Sequence, residues 1–107
     1  MCDTHPSTES IHQRYLAQIK AILTSVFKDK ECAMYLFGSR AAGTHAVVSD
    51  FDIAILTAED ISRELSQARD MLELSNIPFT VDLVDLRAAP AALGRQVQEG
   101  GILLWKN

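Results

Sequence analysis

At 107 residues, 48% apolar and 22% charged, the chain fits one globular domain. Its net charge of −4, without any block of Lys or Arg, argues against a nucleic-acid backbone as the main partner, because phosphate strands need a basic footprint. No apolar run is long enough for a membrane helix and the opening MCDTHPSTES has no apolar signal core, so a cytoplasmic setting is expected.

The reading predicts a single domain over residues 1–107, with residues 1–8 as a disordered tail. From Ile11, apolar residues recur at helical spacing through Tyr15, Ile19, Ile22 and Val26, which predicts an amphipathic helix to about Lys28. Ser7 and Thr8 are plausible caps for it. Ala33 to Phe37 reads as a first strand, and Ser39 to Ala42 as a short helical turn ended by Gly43. A second strand lies within Val47 to Leu56, strongest from Asp50 onward. Thr57 and Asp60 have capping-box spacing before a helix whose apolar face is Ile61, Leu65, Ala68 and Leu72. After a turn at Asn76 to Pro78, Phe79 to Leu86 reads as a third strand. Pro90 suits a helix start, Gly100-Gly101 its end, and Ile102 to Trp105 a short last strand. The order α-β-α-β-α-β-α-β gives an α/β (α+β) domain, a mixed four-stranded sheet backed by helices.

Ten residues separate Gly38-Ser39 from Asp50-Phe51-Asp52, and the chemistry concentrates there. Side chains alternate along a strand, so Asp50 and Asp52 should share a face, roughly 7 Å apart at the strand rise. Two carboxylates so placed repel unless a cation sits between them, and hard oxygen ligands suit divalent ions. Both head an otherwise apolar run, which weakens the alternative of a solvent-facing strand edge. Gly38 lets backbone approach a phosphate and Ser39 offers a hydroxyl and an N–H, although a Gly-Ser pair alone is usually a turn with Ser as a cap. A third carboxylate should come from VDLVDL. Asp82 and Asp85 are three apart and face opposite sides of a strand, and mid-strand Asp82 is the better third ligand. Arg40 either reaches a phosphate or a carboxylate, or is a surface charge on the short helix. Trp105 is either core edge or an interface anchor. His5, His12 and His45 lack zinc-site spacing, and Cys2 and Cys32 lack CxxC spacing.

The combination GSRAAGTHAVVSDFD followed by VDLVDL resembles the minimal nucleotidyltransferase domains of the DNA polymerase β-like superfamily, over roughly Ile11 to Trp105. The resemblance implies that Asp50, Asp52 and Asp82 bind two Mg²⁺ ions, that Gly38, Ser39 and Arg40 bind the triphosphate, and that ATP is the substrate. An acceptor hydroxyl would attack the α-phosphate and pyrophosphate would leave. Stand-alone minimal members resemble MntA-type antitoxins, which implies a HEPN-domain toxin as partner in a hetero-oligomer and as the protein that receives AMP. The competing reading is an inactive binding module that restrains the same partner by contact alone. Many relatives carry a basic residue near Ala42, two after the Arg, and GSRAAG has none there.

Overall fold

The computed structural model describes residues 8–43 and 50–107. The tail expected over residues 1–8 lies outside them except for Thr8, and so do residues 47–49 of the expected second strand. The elements come in the expected order: α1 (Thr8–Phe27), β1 (Cys32–Phe37), α2 (Ser39–Ala42), β2 (Phe51–Thr57), α3 (Ser62–Leu74), β3 (Val81–Asp85), α4 (Ala91–Gly100) and β4 (Ile102–Lys106). They form one four-stranded sheet in the order β3-β2-β1-β4. β1 is antiparallel to both β2 and β4, while β2 and β3 run parallel, joined through α3. The sheet is therefore mixed, and among the described residues no helix is long and apolar enough to cross a membrane.

Periodicity explains the core. Ile19, Leu23 and Phe27 fall at steps of four along α1 and are fully buried. Leu65, Ala68 and Leu72 form the matching stripe on α3. Both stripes join one cluster with Met34 and Leu36 of β1, Ile53 and Ile55 of β2 and Leu83 of β3. These strand residues alternate by two, so one face of the sheet carries α1 and α3. Asp52 and Asp82 directly precede Ile53 and Leu83, at positions of the opposite parity. Trp105 pairs with Met34 across β1 and β4 and packs half-buried against the core, which answers the choice left open for it in favour of core packing.

The capping box expected at Thr57 and Asp60 is not formed. Thr57 ends β2, where its hydroxyl donates to the Glu31 carbonyl at 2.8 Å and accepts from the Glu59 N–H at 3.1 Å. Ile61 is the N-cap of α3, and Asp60 before it accepts through Oδ1 from the Ser62 N–H at 3.0 Å and the Ser62 hydroxyl at 2.7 Å. Those two bonds hold the Asp60 carboxyl below its ordinary value. Tertiary pairing of β2 with the turn before β1 claims Thr57 first.

Candidate active site

β1 ends at Phe37 opposite Asp52, and the chain then turns sharply at Gly38. Gly38 has φ 76° and ψ −154°, a backbone region that essentially only glycine occupies. A Cβ built there would lie 2.5 Å from Asp52 Oδ2, closer than real contacts allow. Glycine is thus favoured by its conformation, and any side chain there would displace the Asp52 carboxylate. Ser39 opens α2, whose N-cap is Gly38, so Ser39 is not the capping side chain. Gly43, left-handed at φ 76°, closes the turn, its N–H donating to the Ser39 carbonyl.

Asp52 and Asp82 are direct partners in the parallel register of β2 and β3. Their Cα atoms are therefore about 4.8 Å apart, the ordinary spacing between strands, with both side chains on one face. Asp85 pairs with Ile55, on the other parity, and its Oδ1 instead accepts from the Arg87 N–H at 2.9 Å in the turn after β3. Asp50 differs from its expected place. β2 begins at Phe51, whose N–H donates to the Thr80 carbonyl, so Asp50 precedes the strand and is exposed. It still acts on Asp52 through its charge. The half-buried Asp52 carboxyl is pushed above its ordinary value, first by loss of water, then by Asp82 and then by Asp50. Among the described residues no three His, Cys, Asp or Glu side chains are gathered closely enough to hold a metal ion as they stand.

Arg40 is not the solvated surface charge that was one alternative for it. Only 3% of it is exposed, and its guanidinium lies 3.8 Å from the Phe51 ring centroid and 5.1 Å from that of Phe79. Such stacked cations contribute about 0.5–2 kcal/mol each. Nη1 donates to His12 Nδ1 at 3.1 Å; arginine has no acceptor, so the imidazole accepts. Burial lowers the pKa of Arg40, and the neighbouring Asp50 charge opposes that shift. The His12 ring stacks on Phe51 at 5.5 Å and 25°, and Phe79 meets Phe51 edge-on at 5.9 Å. This cluster was missed in the sequence. The available signal was that His12 shares the apolar phase of Tyr15, Leu16 and Ile19 on α1.

A mixed sheet whose first strand runs into a glycine-serine turn, beside paired aspartates on two parallel strands, defines a nucleotidyltransferase-type domain. The family model for "Polymerase beta, Nucleotidyltransferase" matches residues 17–107, and the chain belongs to that family. It is similar to the protein adenylyltransferase MntA of Shewanella oneidensis, 40% identical over 72 residues, a stretch that covers 67% of this chain and 52% of that protein. The chain thus matches about half the length of this relative. A solved structure of a toxin-antitoxin with AMP-PNP aligns with TM-score 0.65 and 34% identity, over 82% of this chain and 73% of the other. Another, the tri-AMPylated Shewanella oneidensis HEPN toxin in complex with MNT antitoxin, aligns with TM-score 0.66 and 31% identity, over 90% and 73%.

Proposed function

We propose that this chain transfers AMP from ATP to a hydroxyl of a partner protein, with a HEPN-domain toxin as that partner and restraint of the toxin as the result. The observation that carries this proposal is the in-register Asp52–Asp82 pair set against a glycine whose backbone conformation other residues rarely adopt. Similarity to an adenylyltransferase and to antitoxin complexes supports the choice of nucleotide and partner. The action is placed in the cytoplasm, within a hetero-oligomer of the chain and the toxin.

The in-register pair of hard oxygen donors, Asp52 and Asp82, supports a divalent cation there. Asp52 is half-buried, crowded by two like charges and short of compensation, which is the electrostatic condition that hard cations relieve. Asp52 and Asp82 would hold Mg²⁺, joined by Asp50. When bound, the ions would supply positive charge to the phosphoryl oxygens. Gly38 lets the chain approach the triphosphate without a side chain in the way, and the Ser39 hydroxyl and N–H donate to its oxygens. The exposed Asp82 carboxylate accepts the proton of the acceptor hydroxyl as its oxygen bonds to the α-phosphorus and pyrophosphate departs. Most of the acceleration comes from alignment of these groups.

The test is incubation of the chain with ATP, Mg²⁺ and a HEPN-domain partner, followed by intact-mass measurement of the partner. An added AMP that disappears with Asp82→Asn or with chelator is the expected result. Restraint of the partner with no mass change would instead establish the contact-only module.

A further inference from the structure

The two halves of the site come from separate stretches of chain. The Gly38-Ser39 turn leads into α2, and the acids flank the start of β2. A triphosphate held by one and a cation held by the other require a fixed offset between them. The β1–β2 ladder pairs Phe37 with Asp52, and Arg40 adds a side-chain tie between the helix that follows the turn and the strand that carries Asp52. Arg40 follows Ser39 directly, and its guanidinium lies 3.8 Å from the ring of Phe51, the residue between Asp50 and Asp52. His12, from α1, closes the assembly by accepting a hydrogen bond from Nη1 at 3.1 Å and stacking on the same ring. Phe79, just ahead of β3, meets that ring edge-on. Phe51 is fully buried, and His12 and Arg40 are only 5% and 3% exposed.

A buried guanidinium is expensive when an aliphatic chain of similar volume could fill the space. What arginine adds is geometry. Its planar fork stacks on a ring while donating in its own plane, fixing that ring in two directions at once. We propose that Arg40 is a positioning residue which, seated by His12, clamps Phe51 and so sets the offset between the Gly38-Ser39 turn and the aspartates. His12 is the second positioning residue, acting through Arg40. This deepens the nucleotidyl-transfer reading and rests on it. The ligand class is a nucleoside triphosphate with a divalent cation, gripped from two sides whose spacing the clamp controls.

The experiment titrates AMP-PNP with Mg²⁺ into the full chain by calorimetry and records melting without ligand. The variants are Arg40→Met, Arg40→Ala, His12→Phe and His12→Asn. A displacement of about 1 Å at a site can cost on the order of 100-fold, so Arg40→Met and His12→Phe should bind tenfold to 100-fold more weakly while melting cooperatively. His12→Phe keeps a stacking ring but loses the acceptor, whereas the Oδ1 of His12→Asn can replace Nδ1 and should restore most of the affinity. Methylguanidinium added to Arg40→Ala should recover binding, and urea should not. Folded Arg40→Met and His12→Phe proteins binding within about twofold of the parent would overturn the proposal. Equal losses in His12→Phe and His12→Asn would overturn the role of His12. If Arg40→Met fails to fold, the two His12 variants and the methylguanidinium arm decide. A parent chain that binds no Mg·AMP-PNP overturns the nucleotidyl reading itself, an outcome visible before any variant is made.

Discussion

Gly38→Ala separates backbone from contact at the centre of the site. The backbone at φ 76° and ψ −154° is close to forbidden for alanine, and holding a residue there costs about 2–3 kcal/mol. For a domain near 100 residues that is a fall in melting temperature of roughly 10–20 °C. The added Cβ also meets Asp52 Oδ2 at 2.5 Å, but this atom ends a side chain that can rotate away. The contact should therefore cost function more than stability, by swinging the carboxylate off its place beside Asp82. Thermal melting of a double-mutant cycle with Asp52→Ala tests the division. The expected result is a Gly38→Ala penalty of similar size in both backgrounds. A penalty that vanishes without the Asp52 side chain would show that the contact dominates and that the conformational argument is wrong. So would a single variant that melts within a degree or two of the parent.

Two further outcomes follow from the same geometry. Because the folded protein raises the Asp52 pKa above 3.8, the native state holds that proton more tightly than the unfolded chain. The stability linked to it is fully present below 3.8 and is lost as pH rises through the folded value, so in metal-free buffer Asp52→Asn should equal the parent in acid and exceed it at neutral pH. Denaturant melts at both pH values check this, and a parent more stable than Asp52→Asn at neutral pH would refute it. Ser39→Ala removes one donor to a charged ligand and should weaken AMP-PNP binding about tenfold. Its melting should barely move, since Gly38 holds the cap position; a fall of several degrees with binding intact would make Ser39 a structural residue.

Much of this arrangement could be read from periodicity. The stripe of Ile19, Leu23 and Phe27 and the stripe of Leu65, Ala68 and Leu72 repeat at the helical period, and both meet the core. Parity along a strand allows only one of Asp82 and Asp85 to join the pair, mid-strand Asp82 could be preferred, and the register pairs it with Asp52. Parity says less at the strand boundary. Asp50 was assigned to a strand that starts one residue later, so nothing in the ladder fixes its direction. The capping box failed for a related reason, since local spacing cannot reveal that Thr57 is already bonded to Glu31, 26 residues away. Arg40 was least legible. Its neighbours are small and give no hint of enclosure, while the residues that bury it, His12, Phe51 and Phe79, come from three other segments.

The last residue also ties down the opposite end of the sheet. Asn107 donates from its side chain to the Lys28 and Lys30 carbonyls, and its N–H donates to the Cys32 carbonyl. Cys32 begins the strand whose other end, Phe37, adjoins the glycine turn, and six extended residues place those ends roughly 17 Å apart. A fluorophore attached at position 107 would therefore sit at the far end of β1 from Asp52, clear of the glycine turn during binding measurements.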